Sequence, residues 1–326
     1  MTGFAQQTDD VGGQVQSTDA TIAVLGPGGV GGLLGALLAR AGRRVVFLAR
    51  PDTAAALRRD GLTVRSHRYG DFTVPVDART ELDEPVDACL IAVKQTALDP
   101  ALTRLSADAL GRALVVPLLN GAEHMTALRE RYPAPQVVAG TIRVESTRLA
   151  PGLIEHVSPF AAIELASHAT PRDRLDGLAE GLGRAGIDVT VRDDETAVLW
   201  DKLSFLASLA LLTTYAGTPI GEVRENRRTE LLAVAREIAT VAGAAGGTLG
   251  AEDVVAALDR VDAGMKSSML RDAEAGRELE LDAIGGSVLR AAERHGLEVP
   301  VTAALVADLR DRESRRSSSG SLPSSA

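Results

Sequence analysis

Several residue types are scarce in this chain, and each shortage removes a class of explanation. Cys89 is the only cysteine among 326 residues, so an intramolecular disulfide framework of the secreted kind is excluded. The five histidines, at 67, 124, 156, 168 and 295, stand at no metal-ligand spacing, which argues against a structural zinc or any other metal centre. No apolar run reaches the roughly 18 uninterrupted residues of a membrane span, and the first twenty residues hold neither a basic nor an apolar segment of the signal-peptide kind. A net charge of −9 repels nucleic acid and anionic membranes over most of the surface. These shortages predict a cytoplasmic chain with neither a nucleic-acid nor a membrane partner, in which any phosphate site is local.

Lysine occurs only at 94, 202 and 266, and asparagine only at 120 and 226. Arginine is therefore the default cation. Because arginine keeps its proton and lysine can release it, each lysine in an unusual setting is a candidate for chemistry.

What is present is ordinary for a folded protein: 45% hydrophobic and 24% charged residues. The length predicts two domains. Residues 1–19 and the Ser-rich stretch from about Glu313 to 326 are polar and aperiodic, and read as disordered tails. Between them, TIAVLG, GVGGLLGALLARAG and RRVVFLAR read as strand, helix and strand. The alternation continues through TAAALRRDGL, LTVRS, FTVPV, VDACLIAVK, PALTRLSADAL as one helix, and RALVVPLLNG. From about Asp193 onward the segments read as helices punctuated by Gly or Pro, including GMKSSMLRDAEAG and LELDAIGGSVLRAAERHG. The expected fold is α/β: a Rossmann-type doubly wound parallel sheet over 20–192 with helices on both faces, then an all-α domain over 193–312.

Gly26-Pro27-Gly28-Gly29-Val30-Gly31 follows a strand and opens a helix. Glycines 26, 28, 29 and 31 there suit a tight turn and close approach of a pyrophosphate to a helix N-terminus, so the motif predicts dinucleotide binding. At the end of the second strand, where an acidic residue would accept a ribose 2′-hydroxyl, FLAR places Arg50. An arginine there suits a 2′-phosphate and favours NADP(H), although Asp52 lies close by. Lys94 ends the apolar strand DACLIAVK and Asn120-Gly121 ends the next, both on the sheet edge where open α/β sheets bind ligands.

The helix AVLWDKLSFLASLALL over 197–212 is apolar on nearly every face, yet carries Asp201 and Lys202. A buried ammonium is costly unless it is paired or faces a cleft, which marks Lys202 as functional. Candidate partners are Glu278, Glu280 and Asp282, in a cluster that could equally be a helix's acidic first turn. Ser267 and Ser268 open a helix and could serve only as caps.

Taken together, in order and spacing, the glycine motif, FLAR, AVK, LLNG, LWDKL, SSML, LELD and the late HGLEVP resemble the ketopantoate (2-dehydropantoate) reductase family over about residues 21–312. The resemblance implies NADPH-dependent reduction of ketopantoate to pantoate, on the way to pantothenate and coenzyme A, by a monomer or homodimer. It also implies that Arg50 and Lys94 hold the adenosine phosphate end and that Asn120 lies near nicotinamide and substrate. Lys202 would be the general acid, Glu280 its partner and Ser268 a substrate ligand. The sequence departs from the family pattern at Leu206 and Ala210, where asparagines four and eight residues after the catalytic lysine are typical. Apolar groups there point either to weaker ketopantoate binding or to a more apolar 2-oxo acid or imine substrate. Two further readings stay open: a non-catalytic NADP(H)-binding sensor, and an oxidoreductase of the related hydroxyacid or opine type.

Overall fold

A computed structural model describes residues 20–319. The N-terminal half is built on β1 (Thr21–Leu25), β2 (Arg44–Leu48), β5 (Asp77–Arg79), β6 (Ala88–Ile91) and β7 (Leu114–Pro117). They form one all-parallel sheet in the order β5-β2-β1-β6-β7. Strands β1, β6 and β7 are buried along their whole length, which is why each reads as a continuous apolar run. The chain turns outward in opposite directions from β1 to reach β2 and β6. The resulting crevice lies at the carboxyl ends of β1, β6 and β7, which lead into Gly26, Lys94 and Asn120.

The two faces of this sheet are covered differently. On one, α3 (Leu98–Leu102), α4 (Ala107–Leu110) and α5 (His124–Arg131) pack Leu98, Leu102, Leu110, Met125 and Leu128 against Leu25, Cys89, Ile91 and Val115. The single helix expected over 100–110 is two short ones. Arg104 and Leu105 leave the helix to pair with Leu82, and the Ser106 hydroxyl caps α4 by accepting from the Ala109 amide. On the other face lies α1 (Gly29–Arg40), with α2 (Pro51–Asp60) after β2.

Beyond α1 comes a second sheet, β4-β3-β10-β9, made of β3 (Leu62–Ser66), β4 (Phe72–Val74), β9 (Ser146–Ala150) and β10 (Leu153–His156). The glycines of α1 make this layering possible: a Cβ on Gly35 would come within 2.2 Å of the Phe47 ring, and one on Gly32 within 2.6 Å of Ile154. A third sheet, β12-β11-β8, joins β8 (Ala139–Arg143), β11 (Ala162–Ala166) and β12 (Asp188–Val191), with α6 (Arg172–Arg184) between the last two strands.

The helical half surrounds α7 (Glu195–Ala216), with α8 (Ile220–Asn226), α9 (Arg228–Ala244), α10 (Ala251–Arg260), α11 (Ser268–Glu274), α12 (Ser287–Arg294) and α13 (Pro300–Ser319). Helix α7 starts where the Asp194 carboxylate accepts from the amides of Thr196 and Ala197, and it stops at Gly217 in the left-handed conformation. It is long and apolar enough to cross a bilayer, but most of it is buried in protein, as expected of a core helix. It packs on α9 and α13 and also on β8 and β11 of the N-terminal half, so its side chains reach the seam between the halves.

Three expectations change here. The Ser267 hydroxyl caps α11 by accepting from Leu270, so the helix expected over 264–276 begins only at Ser268. The helix expected from Leu279 is replaced by irregular chain through Glu280, then Leu281 and a π-helical turn at Asp282–Gly286 that lead into α12. Finally, residues 313–319 are helical as the end of α13, not a disordered tail. Glu313 accepts from the Leu279 amide and Arg316 donates to the carbonyls of Ala273 and Arg277, so polar contacts hold this turn where apolar periodicity is absent. The expected tails at 1–19 and 320–326 lie outside the described residues.

Candidate active site

The glycine turn leads directly out of β1. Gly26 has φ +95°, and its carbonyl accepts from the Gly28 amide at 2.8 Å. A Cβ on Gly31 would lie 2.2 Å from that carbonyl, and one on Gly26 would lie 2.6 Å from Val93, so both positions require glycine. A Cβ on Gly28 would meet nothing nearer than the Ala92 carbonyl at 3.9 Å, and α1 starts with no side-chain cap. An uncapped helix N-terminus beside an open glycine is a cradle fitted to a pyrophosphate. Gly29 is small for another reason: a Cβ would fall 2.1 Å from the Ser146 carbonyl, and the Ser146 hydroxyl donates to the Gly29 carbonyl.

Arg50 lies two residues past β2 and immediately before α2. Its side chain is exposed and makes no hydrogen bond or ion pair with any described residue. Lys94 instead reaches across the cleft. Its Nζ donates to Asp272 Oδ2 at 2.6 Å and to the Glu278 carbonyl at 3.2 Å, joining the edge of β6 to the segment after α11. Asp272 is buried and also takes Arg277. Asp272 carries no sequence signal that singles it out.

Three predicted residues meet at the seam. Lys202 Nζ donates to Asn120 Oδ1 at 3.2 Å, Asn120 Nδ2 donates to Glu280 Oε2 at 2.9 Å, and the Gln95 amide donates to Glu280 Oε1 at 3.3 Å. Glu280 thus orients Lys202 through the Asn120 amide. Glu278 and Asp282 are not partners of Lys202: Glu278 offers only its carbonyl to Lys94, while Asp282 pairs with Arg290. Asp201 has a structural task, accepting from the Thr248 amide and hydroxyl and from the Leu249 amide. Burial pushes the Lys202 ammonium down to about 8, with Glu280 opposing that shift and the Arg143 guanidinium adding to it.

Ser268 is exposed, and its hydroxyl makes no hydrogen bond among the described residues. Its neighbour Ser267 meets the Thr213 hydroxyl at 2.9 Å, about 16 Å along α7 from Lys202 by helix rise. Ser268 opens α11 one turn before Asp272, the carboxylate that takes Lys94. Leu206, one turn past Lys202, is partly buried against the helical core, and Ala210 is wholly buried in it. Ala210 therefore offers no surface to a substrate, and only position 206 can replace a polar contact.

His124 has no sequence signal that separates it from the other four histidines. It opens α5, four residues past Asn120, is 1% exposed, and neither ring nitrogen has a hydrogen-bond partner. Burial holds it down to about 4, and the Lys202 charge adds to the effect. Because the folded value lies below the ordinary 6.5, the unfolded chain binds more protons between them, and stability falls as pH drops from 6.5 toward 4. Replacing the ring by leucine removes this term. The wild type is expected to lose roughly 3 kcal/mol relative to His124→Leu between pH 7 and pH 4, read by urea denaturation at both values. Parallel pH dependence in the two proteins would contradict the assignment.

The sequence profile described as ketopantoate reductase PanE/ApbA matches residues 22–169, and that of its C-terminal domain matches residues 195–313. Among curated relatives, the uncharacterized oxidoreductase YkpB of Bacillus subtilis is 28% identical, covering 90% of this chain and 99% of its own. The 2-dehydropantoate 2-reductase of Mycobacterium tuberculosis is 31% identical, covering 87% and 95%. Among solved structures, the PanE/ApbA family ketopantoate reductase of Ralstonia eutropha JMP134 superimposes with a TM-score of 0.81 at 28% identity, covering 91% and 99%. Family membership makes the chain a nicotinamide-dinucleotide-dependent oxidoreductase acting on CH–OH. Both halves of the chain, residues 22–169 and 195–313, match this family, and the protein belongs to the ketopantoate reductase family.

Proposed function

We propose that the protein reduces ketopantoate to pantoate with NADPH, a step toward pantothenate, and that Lys202 is the general acid. The observation that carries this reading is the Lys202–Asn120–Glu280 chain of hydrogen bonds across the seam. The turn at Gly26 and Gly28 and the open start of α1 hold the pyrophosphate, and Arg50, free of any carboxylate, takes the 2′-phosphate. Lys94 serves the same adenosine end when it lets go of Asp272. When bound, the reduced nicotinamide supplies the hydride. Lys202 hydrogen-bonds the 2-oxo oxygen, stabilises the negative charge that develops there, and transfers its proton to it. Asn120 fixes the direction of that ammonium, and the Glu280 carboxylate, held by Gln95, keeps Asn120 turned toward it. Ser268, at the start of α11, is the substrate ligand of this reading. A cytoplasmic location accompanies this reading, in keeping with a chain whose one thiol, Cys89, is buried in β6.

Leu206 beside Lys202 favours a second reading, a more apolar 2-oxo acid or imine as substrate. One assay separates the two. NADPH absorbance is followed with ketopantoate and with a panel of apolar 2-oxo acids and imines, and NADH is run in parallel. The expected result is turnover of ketopantoate with NADPH preferred at least tenfold in kcat/KM, a preference that Arg50→Ala removes. Faster reduction of an apolar oxo acid would establish the second reading, and NADPH binding without reduction of any of them would mark a sensor.

A further inference from the structure

The chain from β8 to the start of β9 runs along the cleft between the glycine turn and Lys202. Strand β8 lies parallel to β7: Val137 bridges Val115, and a Cβ on Gly140 would lie 2.9 Å from the Pro117 carbonyl. Three residues past that contact come Asn120 on one chain and Arg143 on the other, so both stand at the carboxyl edge of the sheet. Three residues further, Ser146 is hydrogen-bonded to Gly29 in the glycine turn. Helix α7, which carries Lys202, packs against β8.

The Arg143 side chain is exposed there and makes no hydrogen bond or ion pair with any described residue. Arginines elsewhere along the seam are tied to carboxylates, Arg277 to Asp272 and Arg290 to Glu123 and Asp282. Lys202 and Arg143 thus set two cations against one carboxylate, Glu280, whose oxygens already accept from Asn120 and Gln95. The charge of Arg143 reaches the Lys202 ammonium and disfavours its protonated form, which an arriving anion would offset.

We infer that Arg143 anchors the carboxylate of the 2-oxo acid while Lys202 holds its oxo oxygen. A 2-oxo acid presents these groups on adjacent carbons, and a planar guanidinium accepts a carboxylate in a two-point fork. With leucine at 206, α7 offers no polar group one turn past the lysine, and recognition of the acid passes to β8. This assignment rests on the reductase reading above.

Its test uses oxamate, a 2-oxo acid analogue that is not reduced, titrated calorimetrically into NADPH-loaded protein. Arg143→Gln is expected to weaken oxamate at least tenfold, with NADPH affinity and melting temperature unchanged, and Arg143→Lys is expected to recover part of the loss. Equal oxamate affinity in wild type and Arg143→Gln overturns the assignment, as does a wild type that binds no oxamate. A loss of NADPH affinity instead of oxamate affinity also overturns it, because the anion held would be a cofactor phosphate. Since oxamate is not turned over, a wild type that binds it through Arg143 yet reduces no ketopantoate refutes the proposed substrate and leaves Arg143 in place.

Discussion

Lys202→Ala is expected to cut kcat by about a thousandfold, the scale of losing a well-placed general acid, while NADPH affinity stays within about twofold. The separation follows from position: Lys202 lies on α7 beside Asn120, whereas the proposed cofactor cradle is the turn after β1. Single-turnover kinetics and a fluorescence titration of NADPH read the two quantities apart. Wild-type reduction should also decline as pH rises through about 8, because the acid form of Lys202 is lost there. The groups that set this value are Glu280 from the chain before the π turn, Arg143 from β8, and burial. In Lys202→Ala the alkaline decline should disappear. A variant that keeps wild-type kcat, or keeps the same decline, would remove Lys202 from the chemistry.

Gly121→Ala is expected to damage both fold and rate. Gly121 has φ +86°, and an added Cβ would lie 2.5 Å from the Ala283 carbonyl in the π turn. Left-handed backbone without glycine costs about 1–2 kcal/mol, and the clash wedges the Asn120 loop away from the segment carrying Glu280. We expect a loss of about 3 kcal/mol in chemical denaturation and roughly a hundredfold fall in kcat/KM as Asn120 leaves its place between Lys202 and Glu280. Wild-type activity in the variant would show that the Asn120–Glu280 contact is dispensable.

What could be read from the sequence was local or chemically conspicuous. The strand, glycine turn and helix at 21–40 announce themselves within twenty residues, and Lys202 stands out because an ammonium interrupts an apolar helix. The second sheet was harder to foresee, since β3 pairs with β10 across some ninety residues and neither strand alone names its partner. The same distance hides Asp272, which is 178 residues from Lys94. Arg143 was lost in an arginine-rich background, where no composition signal separates a free guanidinium from a paired one. His124 becomes informative only once its burial and its unpartnered nitrogens are visible. The end of α13 was misjudged because serine-rich composition hides the two long polar side chains that hold it.

Those contacts at the end of α13 bear on the order in which the site is assembled during synthesis. The chain leaves the ribosome with Asn120 and Lys202 long before Glu280, and the segment carrying Glu280 is pinned at Leu279 by Glu313 and at Ala273 and Arg277 by Arg316. In the proposed reading the glycine turn is synthesised well before Glu280, and Glu280, which orients Asn120 toward Lys202, is fastened only when the last helix docks.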